Sequence, residues 1–328
     1  MSVFTSLPAE LICEILEHAA FRDNTTALVL SLLSSWVRRL VEPLLYHTVV
    51  LSSARSLQAF LATLTLKPAS FARRRVKHLG VFAMGPEQAI LDVLEACQGV
   101  SSLACAFFLP GCKPTTPMTM LPALAETQTH PEQHLLGMAC RDGWDTAVIG
   151  RSVSHLRVHL PASSLPAMFP SPPPDALEPN DDDDEDEHEG TEPKGWDRIA
   201  HLPALTHLAL VYRPSDRYPV STVFDHLQRF LAPLSTASES RASTAAGKLE
   251  LLLVQVVGPS LGPSPHVDEM NALAVSLGAS ALRVVAERAP MSAAAQWEDA
   301  AKEDRSVWQN AEEVVRQRIL RVQQQVAS

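Results

Sequence analysis

The sequence predicts a mixed α/β protein: a small helical unit at the amino end, then a long αβ solenoid carrying a disordered acidic loop, then a C-terminal helix. Three observations lead there. The first fifty residues carry helical periodicity and end in a β-branched run. From residue 76 onward, short Leu-rich phrases recur with helix candidates between them. One stretch rich in Pro and acid interrupts the series.

The first element is LPAELICEILEHAA, residues 7–20, a helix entered through Pro8. Leu7, Leu11 and Ile15 form one apolar row; Pro8, Ile12, Leu16 and Ala19 form another. At about 100° per residue the two rows cover roughly half the cylinder, while one core contact needs a stripe of only about 100°. The extra face calls for a second partner, inside this chain or outside it. Asp23 or Asn24 then starts a second helix by accepting backbone N–H bonds. Leu28, Leu32, Ser35 with Trp36, and Arg39 with Leu40 carry its period. Glu42 and Pro43 are expected to end it, because the residue before a proline is pushed out of the helical region. A turn, PLLY, leads into HTVVL, which reads as a strand.

These residues carry a resemblance. LPAELICEIL, the spaced second helix, SSWVRR and LVEPLLYHTVVL together resemble the F-box of fungal F-box proteins, of the type found in mushroom-forming fungi. The matching positions are Leu7, Pro8, Glu10, Leu11, Ile15, Leu16, Trp36, Arg38 and Arg39. The middle helix is very apolar and lacks the usual Val-Ser-Arg before the Trp. The resemblance spans about one seventh of the chain and implies a helical module, residues 1–46, that docks a Skp-type adaptor and through it a cullin ubiquitin ligase. It implies adaptor contacts at Leu7, Pro8, Glu10, Leu11, Ile12, Ile15, Leu16 and Trp36. The competing reading buries both rows inside this chain, the commoner fate of apolar helix faces.

Residues 47–290 form the next unit. Strand-like phrases fall at 76–82, 100–107, 132–140, 153–160, 205–212, 249–257 and 281–288, and HTVVL makes a first rung. Five of them place a Leu just after a polar residue, often His or Ser. Leu79 to Leu103 spans 24 residues, Leu135 to Leu156 spans 21, and Leu156 to Leu208 spans 52. Helix candidates lie between them at 56–66, 86–98, 220–234 and 266–278. This alternation suggests a degenerate leucine-rich-repeat-like solenoid, in which no unit buries its apolar face alone. The strict repeat signature with its Asn ladder is missing, so a doubly wound α/β domain is the alternative.

Residues 161–195 hold the run DDDDEDEHE, and their composition predicts a disordered loop. Such an acid run lacks the Gly-turned ligand spacing of a calcium loop. Residues 235–248 read as a second low-complexity loop. In the C-terminal unit, 291–328, Trp308, Ala311, Val315, Ile319, Val322 and Val326 make a helical stripe, expected to close the open end of the solenoid. Pairing with another helix is the alternative.

Composition narrows the function. Apolar residues make up 46% of the 328, enough for a sizeable core. The net charge of −10 comes mostly from the acid run and argues against nucleic acid as partner. The five cysteines lack close pairing and read as small buried hydrophobes in a reducing compartment. No leader pattern or membrane span is evident, so the expectation is a soluble intracellular protein, cytoplasmic or nuclear.

No P-loop or GxGxxG occurs, and no catalytic residue, cofactor or metal site is expected. His155 and His159 share a strand face, with no Cys or carboxylate at metal spacing beside them in the sequence. Three functional classes remain. The first is an F-box-type substrate receptor presenting an unidentified target protein for ubiquitination. The second is a non-catalytic scaffold whose F-box-like segment no longer binds the adaptor. The third is an unrecognised α/β enzyme.

Overall fold

The structure, a computed structural model, describes residues 7–105, 131–136, 149, 152–159, 199, 202–215, 219–231, 249–258, 263–277, 281–303 and 306–327. The expected loops at 161–195 and 235–248 lie outside the described residues, as do Cys112 and Cys140. No described helix is long and apolar enough to cross a membrane.

Three helices open the chain: α1 (Ala9–Arg22), α2 (Asn24–Ser31) and α3 (Ser35–Leu45). Asp23 caps α2 by accepting from the N–H groups of Thr25 (3.1 Å) and Thr26 (2.8 Å). The expected single second helix is in fact two. Ser34 interrupts it and caps α3, its Oγ accepting from the Val37 N–H at 3.1 Å. Nor does Pro43 end the helix. It sits inside α3, near the carboxyl end, where few intrahelical bonds remain to be lost. Packing of Leu44 and Leu45 against the core, and the Glu42–Lys67 ion pair, hold this last turn helical. Ala20, Ala27, Val37 and Val41 form the centre of the three-helix core.

Eight strands follow among the described residues, and all eight were legible as phrases: β1 (Thr48–Leu51), β2 (His78–Val81), β3 (Ser102–Cys105), β4 (Glu132–Leu135), β5 (His155–His159), β6 (His207–Tyr212), β7 (Leu251–Val256) and β8 (Val284–Arg288). They form one open sheet, parallel throughout, in the order β1-β2-β3-β4-β5-β6-β7-β8. Each strand lies beside the next in sequence, so the order never reverses. A doubly wound sheet requires such a reversal.

The register aligns Val49, Leu79, Leu103, Gln133, Leu156, Leu208, Leu252 and Val284 in one row. One sequence alignment changes: Gln133, not Leu135, stands beside Leu156. The shift is two residues, so the alternation of faces is preserved. Apolar residues on this face pack against α4 (Ala54–Leu66), α5 (Ser70–Arg75), α6 (Glu87–Ala96), α7 (Val220–Leu231) and α8 (Pro265–Ser276). Leu57, Phe60, Val93 and Leu94 fill one half; Val223, Phe224, Leu227 and Met270 fill the other.

The opposite face is covered by α9 (Ala293–Lys302) and α10 (Gln309–Ala327). Helix α9 crosses β1–β3 and α10 crosses β7 and β8. The C-terminal stripe divides in two. Trp308, Ala311 and Val315 are buried on the sheet, while Ile319 and Val322 are exposed. Helix α10 also reaches the edge strand, where Arg318 donates to the Val284 carbonyl at 2.6 Å. Asn271 bonds both the N–H (2.9 Å) and the carbonyl (2.8 Å) of Ala286, so side chains occupy backbone groups of β8 that a further strand would pair with.

Candidate functional site

The two apolar rows of the opening helix part company in the structure. Ala20 is buried and Leu16 packs against the three-helix core, with Ile12 half-buried. Leu11 and Ile15 face outward, 44% and 49% exposed. Leu7 is half-buried; Pro8 and Glu10 are exposed at the helix entrance. Trp36 is 45% exposed at the start of α3, and Leu28, Val29, Leu32 and Leu33 are exposed on and after α2. The small three-helix unit therefore carries many large apolar side chains in water. Single exposed apolar residues are ordinary, but this concentration on about thirty residues is not.

A second constellation lies under α10, on the sheet face opposite the Leu row. The register sets Ser102, Glu132, His155 and His207 side by side on adjacent strands. The rings of His155 and His207 stack at 4.2 Å between centroids, inclined by 14°. Trp308 closes over them at 5.6 and 5.9 Å and donates its indole N–H to Glu132 at 3.0 Å. His134 Nε2 lies 2.8 Å from the same carboxylate oxygen. Burial pushes Glu132 up, but His134, the Trp308 indole and His155 outweigh it and hold the carboxyl at about 2. Burial, with His207 beside it, lowers His155 to about 4, and burial lowers His207 as well.

Glu312, in the first turn of α10, completes the group, with one oxygen 3.5 Å from His207 Nε2. One ligand atom from each of His155, His207 and Glu312 lies within 4.8 Å of the others, a donor set fit for a metal ion. Sequence spacing around His155 does not announce this group. The carboxylates come from residues 132 and 312, far away in the chain. His159 lies two steps further along the same strand face.

Arg157, between the two histidines of β5, is fully buried. It donates through Nη2 to Gln255, which donates to Glu287 at 2.6 Å, and burial lowers its pKa to about 10. Cys97 and Cys105 are buried, as expected of small hydrophobes, while Cys13 is half-buried, and burial pushes the Cys97 thiol up to about 12.

One sequence motif was passed over. Residues 258–262 read Gly-Pro-Ser-Leu-Gly, a GxSxG pattern shortly after β7. A nucleophile elbow places its serine on the turn where strand meets helix. Here α8 begins only at Pro265, five residues after Ser260 and beyond Pro263, so the spacing does not match. Residues 259–262 lie outside the described ones.

No family model matches the chain, and no curated protein or solved structure was found similar to it.

Proposed function

We propose that this chain is an F-box-type substrate receptor. Its amino-terminal helices dock a Skp-type adaptor, the adaptor links it to a cullin ubiquitin ligase, and the rest of the chain holds a target protein. The observation that carries this reading is the outward exposure of Leu11, Ile15 and Trp36 on a unit whose core is supplied by other residues. The resemblance implies adaptor contacts at these same side chains. Large apolar side chains that leave their own core intact are the usual anchors of helix-mediated docking.

The sequential parallel sheet, with helices on its Leu-rich face, is the arrangement that a leucine-rich-repeat-like solenoid adopts. In this reading the receptor performs no chemistry of its own and acts inside the cell, in cytoplasm or nucleus, where its ligase partners reside. The sheet face that a solenoid would offer to a target is covered by α9 and α10. A target reaches that face only if those helices move, and otherwise binds along the margins.

The test is co-expression of the full chain with a fungal Skp-type adaptor and its cullin, followed by gel filtration. Co-elution of all three supports the receptor. A folded chain that elutes alone rejects it and leaves a scaffold whose F-box-like segment has lost its partner.

A further inference from the structure

We propose that His155, His207 and Glu312 form a zinc site that fastens α10 to the sheet. This inference is independent of the receptor reading, because it uses no residue of the three-helix unit.

A hydroxyl stands behind each imidazole, at Nδ1. Ser154 Oγ lies 2.9 Å from the Pro131 carbonyl, which the Ser154 and His155 N–H groups also reach. Ser154 Oγ also lies 2.9 Å from His155 Nδ1, close enough to accept from the ring when Nδ1 carries the proton. The next strand repeats the arrangement. Thr206 Oγ1 lies 3.2 Å from the Ser154 carbonyl and 2.8 Å from His207 Nδ1. In the tautomer protonated on Nδ1, both hydroxyls accept from the rings and both lone pairs stand on Nε2. Metal-bound histidines show the same logic, one nitrogen on the metal and the other tied to a fixed acceptor.

The spacing of the donor atoms is near what zinc needs, while the rings, stacked at an inclination of 14°, must turn for their Nε2 lone pairs to converge. Bonds of about 2.1 Å in a tetrahedron separate neighbouring ligand atoms by about 3.4 Å. His207 Nε2 and the Glu312 oxygen are already 3.5 Å apart. The remaining separations, at most 4.8 Å, close when the rings turn out of their stack. Glu132, one rung from His155, supplies a second negative charge behind the site. Two nitrogen donors with one carboxylate suit Zn²⁺ and disfavour Mg²⁺ or Ca²⁺, which take oxygen ligands. Glu312 is 38% exposed, so the fourth position opens to water. The consequence is mechanical: one ion joins β5, β6 and α10 across segments 52 and 105 residues apart in sequence.

The full chain, stripped with a chelator, is titrated with Zn²⁺ by calorimetry and with Co²⁺ by visible absorption. We expect one tight Zn²⁺ per chain, tetrahedral Co²⁺ bands, and a melting temperature raised by Zn²⁺ but not by Mg²⁺. His155→Asn and His207→Asn keep a donor for the neighbouring hydroxyl and lose Nε2; each is expected to weaken binding at least tenfold. Glu312→Gln, on the surface, gives the same loss without risk to the core. Thr206→Val removes the acceptor behind His207 and is expected to cost roughly 10- to 100-fold. A folded wild-type chain that takes up no stoichiometric Zn²⁺ overturns the proposal. So does a Glu312→Gln titration that matches wild type, which would place the ion elsewhere, for instance in the acid run at 181–189.

Discussion

Helix α9 is held over the first three strands by a single large side chain, and a double-mutant cycle measures that hold. Trp297 is 1% exposed. Its indole N–H donates to Ser102 Oγ at 2.9 Å, and its ring meets Phe82 edge-on at 6.0 Å. It lies over Gly80, where an added Cβ would stand 2.5 Å from Trp297 Cζ3 and 2.6 Å from Phe82 Cε2. The glycine is needed there for space. Trp297→Ala removes a fully buried indole and leaves the Ser102 hydroxyl, itself buried, without that donor. The expected loss is about 3–5 kcal/mol. Gly80→Ala overpacks the same spot, at about 1–3 kcal/mol. In the double variant the clash with the indole disappears and only the Phe82 contact remains. The two losses should then fall short of additivity by about 1 kcal/mol or more. Urea denaturation followed by far-UV circular dichroism reads all three values. A Trp297→Ala cost below about 1 kcal/mol, or an additive cycle, would show that α9 is not seated as described.

Other perturbations have equally definite outcomes. Gly99→Ala sets a Cβ 1.9 Å from the Arg73 carbonyl oxygen, a backbone atom that cannot swing aside, so thermal melts should show a loss at or above the upper end of ~1–3 kcal/mol. Ser34→Ala removes the cap that separates α2 from α3 and is expected to cost about 1 kcal/mol by denaturant titration. In chelator-treated protein, stability should fall as pH drops from about 6.5 to about 4. Over that interval the unfolded chain protonates His155 while the fold holds it neutral, and His207 acts in the same direction. A second loss begins near pH 4.5 and runs toward 2, as the unfolded chain protonates Glu132 before the folded one does. Denaturation midpoints for wild type and His155→Asn, taken from pH 7 to 3, should show a shallower upper limb in the variant; identical limbs would refute the assignment.

The sheet was readable because each strand is a compact apolar phrase, and because Leu79, Leu103, Leu156 and Leu208 recur in the register the strands adopt. The split at Ser34 was missed although its residue type announces a cap. Leu32 and Leu33 continued the apolar pattern through the turn and masked it. Helix α9 was missed because its inward stripe is Ala293, Trp297 and Ala301, with one large apolar residue among small ones. The outward row of α1 was legible as surplus apolar surface, but which row turns outward depends on how α2 and α3 pack. The histidine–carboxylate group depends on a register set by long connections. One clue was present: Ser-His-Leu at 154–156 and Thr-His-Leu at 206–208 repeat the hydroxyl, the ring and the aligned leucine. Aligning those leucines stacks the histidines. Nothing local announces Glu312 or Glu132.

The most direct measurement is the affinity of the full chain for a purified fungal Skp-type adaptor, with Leu11→Asp and Ile15→Asp beside wild type and Met291→Asp as a distant exposed control. Circular dichroism establishes that each variant is folded. If the outward row of α1 is the docking surface, wild type and the control bind alike. Each α1 variant then binds at least about thirtyfold more weakly, the equivalent of about 2 kcal/mol at a central contact. No binding by the folded wild type, or equal binding by all four proteins, would contradict the receptor reading and leave those side chains as surface without that partner.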